Sequence, residues 1–485
     1  MNQSVFIDNA FSPGEGDVFT VDNPASEAVV AEIAGASIAQ IEAAIRSART
    51  AFDGGWGDMP ASGRAVILRR LVAALGKRMA ETVDLIVAET GCPRHSPVFA
   101  VQVAAPLFQA KQIIDLFLSL PEVEDNPLPL NERVSPAGLV VQSVRRYTPI
   151  GVVSAIAAYN FPYYTALWKV IPALIAGNTV VLRPSPLTPL SAMVFAQAAV
   201  EAELPPGVLN VVVEGGIEGA RLMSTHGDVD MVAFTGSSAV GKQVMIQAAD
   251  TMKRLQLELG GKSAQIVLPD AVDRAPLLGT AVCMSHAGQA CVLGTRIFVP
   301  EDRKAEVLVE MAKAFAALRI GDPEAKDTQV GPVVSAAQRD RCERYTALAV
   351  VSGARVVSGG KRPAHMNSGY YFEPTLLDVP DNANPAAQDE IFGPVVAVIG
   401  YRDLDHAVAM ANDSRFGLSG YVHGADKAAA LKVATRLKTG AVNVNTGMFS
   451  TYVSGGGQRE SGVGRERGIE GLRLYQQLSC LNIGA

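Results

Sequence analysis

Cys291 stands among small residues in the segment HAGQACVLGT, which ends just before the strand-like run RIFVP. A cysteine thiolate is a strong nucleophile, and the alanines and glycine that precede Cys291 leave room for a ligand to approach the sulfur. A buried free cysteine is also commonly a small hydrophobic residue, so the segment alone leaves packing and catalysis open. His286, in the same segment, is interpreted as a core histidine.

Glu258 and Asn160 are two further residues that could take part in catalysis. Glu258 lies in the apolar run LQLELGGKS, where burial would raise the pKa of its carboxyl toward neutrality, as a general base requires. Asn160 follows a predicted strand, at a sheet end where α/β proteins bind ligands, and its amide could donate to an oxyanion. The alternatives are an exposed carboxylate at a strand end and an Asx turn before Pro162.

The segment GSSAVGK, residues 236–242, has the spacing of a phosphate-binding loop and follows the predicted strand MVAFT. Gln243 comes next, where a nucleoside triphosphatase needs Ser or Thr to hold magnesium. A P-loop nucleotide hydrolase therefore stays only as a rival from another functional class. The remaining alternatives are a glycine-rich turn suited to phosphate and an ordinary strand-to-helix turn.

The elements that must position these residues alternate between strands and helices. From about residue 150, the β-rich runs GVVSAIA, TVVLRP, LNVVV, MVAFTG and AQIVL alternate with helical stretches, which predicts βαβ units and a parallel sheet. A second alternating region starts near residue 262. Residues 37–52 are predicted to form an amphipathic helix, with Ser37 and Gln40 as a capping box. Residues 133–152 favour two strands joined by a turn, and such a ribbon needs a partner surface.

The composition is that of a globular chain with two or three domains: 485 residues, 48% apolar and 19% charged, with a net charge of −6. The negative charge disfavours nucleic acid and anionic membranes as partners. No signal peptide or membrane span is evident, so we expect a cytoplasmic location. The five cysteines and six histidines include no metal-ligand spacing, and we expect neither disulfides nor a metal.

The order of these motifs resembles the aldehyde dehydrogenase superfamily. Asn160, the glycine-rich turn, Glu-Leu-Gly-Gly-Lys at 258–262 and Gly-Gln-x-Cys at 288–291 follow one another as in that family. The resemblance covers essentially the whole chain through the further motifs ETG (89–91), FTGS (234–237), GPVV (331–334), DEIFGPV (389–395), NDSRFGLSG (412–420) and ESGVGRERG (460–468).

The resemblance implies an α/β fold with two parallel-sheet domains, one Rossmann-like for the cofactor and one catalytic, plus a small β oligomerisation element. It places the cofactor domain at 1–121 and 146–261 and the catalytic domain at 262–455. The oligomerisation element would comprise 122–145 and 456–485, in a homodimer or homotetramer.

The resemblance also implies roles for the catalytic residues. Cys291 would attack the aldehyde to give a thiohemiacetal and then a thioester, with the Asn160 amide and the Cys291 N–H as the oxyanion hole. Glu258 would activate the hydrolytic water, and Lys169 would relay protons behind it. A close rival is a member that passes the thioester to coenzyme A, although those members generally lack the Glu.

The cofactor implied by the resemblance is NAD. The matching residues are Ile156, Arg183, Ser185, Gly236, Ser237, Gly241, Glu390 and Phe392. Arg183 replaces the usual Lys, and Pro186 stands where NAD-preferring members often carry a Glu that repels a 2′-phosphate. With the cation kept and that anion missing, NADP is not excluded electrostatically.

The substrate implied by the resemblance is an uncharged aliphatic or aromatic aldehyde. The positions that match the family's substrate tunnel form an aromatic, mostly apolar set: Phe161, Tyr164, Trp168, Met448, Phe449 and Tyr452. Aromatic residues at such positions are also consistent with an ordinary core.

Overall fold

The structure is a computed structural model that describes residues 3–447 and 450–484. The strands in this part of the chain are β1 (Val5–Ile7), β2 (Ala10–Ser12), β3 (Val18–Asp22), β4 (Val29–Ala34), β5 (Val123–Asp125), β6 (Val141–Pro149), β7 (Val152–Ile156), β8 (Thr179–Arg183), β9 (Leu209–Val212), β10 (Met231–Thr235), β11 (Arg254–Glu258), β12 (Ala264–Val267), β13 (Arg296–Pro300), β14 (Arg355–Ser358), β15 (Thr375–Val379), β16 (Val395–Tyr401), β17 (Phe416–Gly417), β18 (Ser419–His423), β19 (Ala441–Val444), β20 (Gln458–Arg459), β21 (Gly462–Val463) and β22 (Gln476–Gly484).

The α-helices are α1 (Ile38–Ala51), α2 (Ala61–Lys77), α3 (Met79–Thr90), α4 (Phe99–Gln102), α5 (Ala104–Leu118), α6 (Pro162–Ile175), α7 (Met193–Glu201), α8 (Glu218–Thr225), α9 (Ser238–Ala248), α10 (Ala275–Met284), α11 (Lys304–Ala316), α12 (Ala336–Val351), α13 (Pro385–Gln388), α14 (Leu404–Asn412), α15 (Lys427–Ala434) and α16 (Gly468–Arg473). The predicted helix at 37–52 is confirmed as α1, and its capping box forms through Ser37 and Gln40 as expected.

The first sheet has eight strands in the order β2-β1-β9-β8-β7-β10-β11-β21. Its five central strands, β9 to β11 in this order, are parallel, as the alternation of strands and helices predicts. The chain runs from β7 outward to β8 and β9, and then crosses back to β10 on the other side. The strand order therefore reverses next to β7, which is where open α/β sheets bind ligands.

The second sheet has seven strands in the order β14-β15-β16-β13-β12-β18-β19, and only the β14–β15 pair is antiparallel. β12, which contains the run AQIVL, belongs to this sheet and not to the first. Two parallel-sheet α/β units thus confirm the predicted fold class. The domain boundaries stay a prediction; β21, within the segment assigned to the oligomerisation element, pairs with β11 of the first sheet.

A third sheet contains three antiparallel strands, β22-β6-β5. The two-stranded ribbon predicted at 133–152 is replaced by this arrangement. Only a single bridge, between Val134 and Val140, spans the predicted turn. β6 pairs instead along its whole length with β22, because the C-terminal strand supplies the partner that a local hairpin would lack.

Candidate active site

A cavity of about 440 Å³ opens at the carboxyl edge of the first sheet. Strand register brings the last residues of β7, β8, β10 and β11 to this edge. Ile156 pairs with Arg183 on one side and Phe234 on the other, and Thr235 pairs with Glu258. Cys291 lines the same cavity from the segment that leads into the second sheet. The cavity therefore lies between the two α/β units.

The segment before Cys291 has an unusual backbone. His286, Ala287 and Gly288 have φ of 52°, 50° and 76°, so three successive residues are left-handed. A Cβ on Gly288 would lie 2.1 Å from the carbonyl oxygen of Gly393, so only glycine permits this close approach. The tight turn ends α10 and directs the chain back toward the first sheet, which places Cys291 at the cavity.

Hydrogen bonds from distant elements hold the Cys291 segment in place. The Asn160 side-chain amide donates to the Gln289 carbonyl over 2.8 Å, and the Val334 N–H donates to the Gln289 side chain over 2.9 Å. The Tyr421 hydroxyl donates to the Val292 carbonyl over 3.0 Å. Asn160 and Cys291, which the sequence predicts to act together, thus meet through a direct contact between their segments.

Glu258 ends β11 with its carboxyl buried at the cavity. Burial and the nearby charge of Glu466 together raise the pKa of this carboxyl to about 8, while the charge of Lys169 opposes the rise. Within the described residues, no group donates a hydrogen bond to Glu258 Oε1. A carboxyl with such a pKa takes up and releases protons near neutral pH, as a general base must.

Lys169 lies on α6 and is fully buried, with its Nζ 3.7 Å from Oε1 of Glu466. Burial lowers the pKa of Lys169, and it raises the pKa of Glu466, while each partner's charge opposes that shift. The predicted placement of Lys169 behind Glu258 is consistent with this cluster, because the charge of Lys169 also acts on Glu258. Glu466 completes a buried trio of ionisable groups.

The Cys291 thiol faces this cluster across the cavity. Burial raises its pKa to about 12, and the negative charges of Glu390, Glu258 and Glu466 add to the effect. The sulfur is therefore a protonated thiol at neutral pH in this structure. A nucleophilic reaction at Cys291 requires a base that accepts the proton, and Glu258 is a carboxyl at the same cavity with a suitable pKa.

The glycine-rich turn after β10 forms one wall of the cavity. Gly236 and Ser237 line the wall, and the Ser237 hydroxyl caps α9 by accepting from the Val240 N–H. Gly241 instead packs inside α9, where a Cβ would lie 2.6 Å from the Leu259 side chain. Lys242, the lysine of the P-loop reading, forms an exposed ion pair with Glu460. The first turn of a helix at a cavity suits a phosphate group.

Glu390 and Phe392 line the opposite wall. Glu390 accepts a hydrogen bond from the Gly261 N–H over 2.9 Å, and burial raises the pKa of its carboxyl. A Cβ on Gly260 would lie 2.1 Å from that carboxylate, which explains the glycines after Glu258. Phe392 has a left-handed backbone, with φ of 62°, and its ring meets the Tyr159 ring edge-on at 5.9 Å.

Arg183, Ser185 and Pro186 line the end of the cavity beside β8. Arg183 Nε donates to Oε2 of Glu214 over 2.8 Å, and its Nη2 donates to the Gly216 carbonyl. An anion therefore accompanies the Arg183 cation, although the residue at position 186 is a proline. Position 186 alone does not indicate this partner, because Glu214 comes from the loop after β9.

The residues predicted to bind substrate differ in how far they are buried. Phe161, Tyr164 and Trp168 are buried on or next to α6, and Trp168 Nε1 donates to Gln109 over 3.0 Å. Tyr164 is near the cluster, because the charges of Glu466 and Cys291 add to burial in raising the pKa of its phenol. Tyr452 is 55% exposed. Met448 and Phe449 lie outside the described residues.

His286 is fully buried, and its ring contacts the Phe161 ring edge-on at 5.8 Å. Burial lowers the pKa of the imidazole to about 4, so the ring is neutral. These contacts agree with the interpretation as a core histidine.

The described residues also bear on metals and membranes. No three His, Cys, Asp or Glu side chains among them lie close enough to hold a metal ion. No helix among them is both long and apolar enough to cross a membrane. The cysteines at 92, 283, 291, 342 and 480 are free thiols.

Sequence reasoning missed several residues that shape the site. Glu466 lies in the motif ESGVGRERG, but the resemblance implies no role for it. Glu214 lies in none of the motifs. Gln338 and Arg341, on α12, donate to backbone carbonyls between Glu390 and Phe392 and so fix that wall of the cavity. Their contacts depend on tertiary packing, and the local sequence carries no signal for them.

Known proteins share both the sequence and the architecture of this chain. The model of the aldehyde dehydrogenase family matches residues 11–480. A geranial dehydrogenase of Castellaniella defragrans is 36% identical over 480 residues, which is 98% of each chain.

Two solved structures extend the similarity to the fold. A mutant of aldehyde dehydrogenase C from Pseudomonas syringae, in complex with NAD⁺ and octanal, superposes with a TM-score of 0.92 and 36% identity, covering 99% of this chain and 96% of that one. A Mycobacterium tuberculosis aldehyde dehydrogenase in complex with NAD⁺ gives a TM-score of 0.90 and 36% identity, covering 99% and 97%. The chain described here belongs to the aldehyde dehydrogenase family.

Proposed function

We propose that this enzyme oxidises an uncharged aldehyde to the carboxylic acid with NAD⁺, through a thioester on Cys291. The observation that carries the proposal is the meeting of three groups at one cavity. Cys291 supplies a thiol, Glu258 a carboxyl with a pKa of about 8, and Asn160 an amide bonded to the Cys291 segment.

The first step uses the proton affinity of Glu258. Because the Cys291 thiol is protonated at neutral pH, its attack on the aldehyde carbon requires transfer of the thiol proton to a base. The Asn160 amide has two N–H groups, and one of them donates to Gln289. The second N–H, together with the Cys291 backbone N–H, would stabilise the oxyanion of the thiohemiacetal.

The second step releases the acid. After the thiohemiacetal carbon loses a hydride, a thioester remains on Cys291, and a water molecule must attack it. Once Glu258 has released the thiol proton to solvent, it would remove a proton from that water, and the Cys291 sulfur would leave as the acid forms. The buried pair of Lys169 and Glu466 would then hold or pass on that proton, since both groups act electrostatically on Glu258.

The cavity suits a dinucleotide in both its shape and its polar groups. The first turn of α9, capped by Ser237, would hold the pyrophosphate, and Glu390 would hold a ribose. Arg183 and Ser185 line the end beside β8, where the other ribose would lie. NAD⁺ would supply the hydride acceptor, and two structurally similar family members contain it.

The substrate proposed here is an aldehyde with an apolar, medium-length chain. Buried aromatic residues on or next to α6 adjoin the cluster around Cys291, and the phenol of Tyr164 interacts electrostatically with the Cys291 thiol. Geranial and octanal, named with two of the relatives, are such aldehydes.

A homodimer or homotetramer is proposed from the third sheet. β22 exposes Leu478, Leu481 and Ile483, which are 45–56% accessible in the single chain. An apolar strand with this exposure favours contact with a second copy. Size-exclusion chromatography with light scattering tests the assembly; a monomeric mass would contradict it.

A panel of uncharged and carboxylate-bearing aldehydes, assayed for NADH and free acid, tests the proposed reaction. Cys291→Ala should abolish NADH formation, and turnover near the wild-type rate would refute the nucleophile. Cys283→Ala is the matched control, because Cys283 is a buried free thiol away from the cavity lining. An acyl-coenzyme A product in place of the acid would favour the coenzyme A-acylating rival.

A further inference from the structure

The ion pair between Arg183 and Glu214 lies at one end of the proposed cofactor cavity. Both side chains are buried, with 6% and 8% of their surfaces accessible. Arg183 ends β8, and Glu214 lies in the loop between β9 and α8. Two independent segments therefore bring opposite charges together beside the residues that line the cavity at Ser185 and Pro186.

The pair is held by three hydrogen bonds. Glu214 Oε2 accepts from Arg183 Nε over 2.8 Å, and its Oε1 accepts from the Gly219 N–H over 2.7 Å. Arg183 Nη2 donates to the Gly216 carbonyl. Because both acceptors of the guanidinium, Glu214 and Gly216, belong to the β9–α8 connection, the guanidinium is held in one orientation and its charge is balanced.

We propose that Glu214 makes this end of the cavity selective for NAD⁺ over NADP⁺, an inference that rests on the proposed function. A free arginine beside the adenosine ribose would attract the 2′-phosphate of NADP⁺. Here the carboxylate of Glu214 balances that charge, and it would repel a phosphate dianion in a setting that screens charges weakly. Glu214 thus supplies, from another loop, the negative charge that Pro186 does not.

Isothermal titration calorimetry on the full-length protein without cofactor tests the proposal through binding alone. Dissociation constants for NAD⁺ and NADP⁺ are compared in the wild type, Glu214→Gln and Glu218→Gln. Gln keeps the shape of Glu214 and removes its charge. Glu218 is the matched control, since it is a nearby glutamate in the first turn of α8 that pairs with Arg221 at the surface.

The wild type should bind NAD⁺ at least tenfold more tightly than NADP⁺. Glu214→Gln should lower the ratio of the two dissociation constants at least tenfold, and Glu218→Gln should leave it unchanged. A purely structural role would weaken the binding of both nucleotides by the same factor. An unchanged ratio in folded Glu214→Gln would therefore overturn the proposal.

A second measurement uses only the wild type and does not depend on how the variant folds. Adenosine 2′,5′-bisphosphate should bind at least tenfold more weakly than adenosine 5′-monophosphate, and equal or tighter binding would overturn the role of Glu214. If the wild type bound no NAD⁺ at all, the proposed function itself would fail, which is distinct from NAD⁺ binding without discrimination.

Discussion

The Asn160 side-chain amide donates a hydrogen bond to the Gln289 carbonyl over 2.8 Å, two residues before Cys291. The contact joins the carboxyl edge of the first sheet to the segment that carries the thiol. One amide group therefore holds the segment that carries Cys291, and its second N–H is the donor that we propose for the oxyanion. Removal of this amide should therefore release the Cys291 segment and also remove the proposed oxyanion donor.

Asn160→Ala should lower kcat by about 10²–10³-fold, since it removes an oxyanion donor. KM for the aldehyde should change less than kcat, because the donor acts on charge that develops in the transition state. Steady-state kinetics measure both values. Asn210→Ala is the control: Asn210 is also a buried asparagine with side-chain hydrogen bonds, but it lies on β9. A kcat for Asn160→Ala within a few-fold of wild type would contradict the oxyanion role.

Glu258→Gln should slow hydrolysis of the thioester more than its formation, because the amide cannot take a proton from the hydrolytic water, whereas solvent can accept the thiol proton slowly in place of Glu258. Mass spectrometry of the variant after addition of aldehyde and NAD⁺ should show an acyl adduct on Cys291. Glu89→Gln is a matched control, since burial also raises the pKa of Glu89, to about 7, and this carboxyl caps backbone N–H groups away from the cavity. Lost turnover without any adduct would show that the thiol proton has no acceptor other than Glu258, and it would contradict the expected accumulation.

The rate should rise with pH. Burial raises the pKa of Glu258 to about 8, and this group acts as a base only when deprotonated. The active fraction therefore falls as the pH drops below about 8, and log kcat should decline there with a slope of one. A rate that stays constant from pH 6 to pH 9, on a step shown to be chemical, would contradict this assignment.

Lys169→Met should shift that limb to higher pH. Because the positive charge of Lys169 lowers the pKa of Glu258, removal of that charge should raise this pKa. We expect a rise of about one unit, which corresponds to ~1.4 kcal/mol of lost stabilisation of the carboxylate. The pH profile of kcat measures the shift. Lys253→Met is the control, because Lys253 is another buried lysine, which donates to the carbonyls of His226 and Val229 instead. A parallel loss of rate at every pH would indicate a structural role alone.

Much of this arrangement can be predicted from the sequence because it depends on local patterns. The capping box at Ser37 and the alternation that gives the parallel strands are short-range features. Cys291 is recognisable by the small residues before it, Glu258 by its apolar run that ends in two glycines, and Asn160 by its place after a predicted strand, while the resemblance to a family supplies their order. The carboxyl ends of neighbouring parallel strands then have to meet at one edge.

The partners of charged residues are what the sequence does not reveal. At position 186 the sequence has a proline in place of an acidic residue, but folding brings Glu214 to Arg183 from a different loop. Lys169 similarly meets Glu466 from near the C-terminus. Such pairs join segments far apart in the chain, so neither periodicity nor motif spacing indicates them. The pairing of β6 with β22 in place of a local hairpin also joins distant segments, so the sequence does not indicate it either.

Asn178 provides a test of stability away from the reaction. Its Oδ1 accepts from the N–H groups of Ile150 and Gly151 over 2.7 and 2.9 Å, and its Nδ2 donates to the Ala173 and Tyr475 carbonyls. Asn178→Ala leaves these four backbone groups without that partner inside the protein, and we expect a loss of about 3 kcal/mol or more in the free energy of unfolding.

The midpoint of urea unfolding measures this loss. Asn412→Ala serves as the control, because Asn412 bonds to Arg436 and Lys438 at the partly exposed end of α14, where water can replace the lost partner. Its midpoint should move much less. Equal shifts for the two variants would mean that Asn178 does not connect the β6–β7 turn, α6 and the residue before β22 in the way that its four hydrogen bonds indicate.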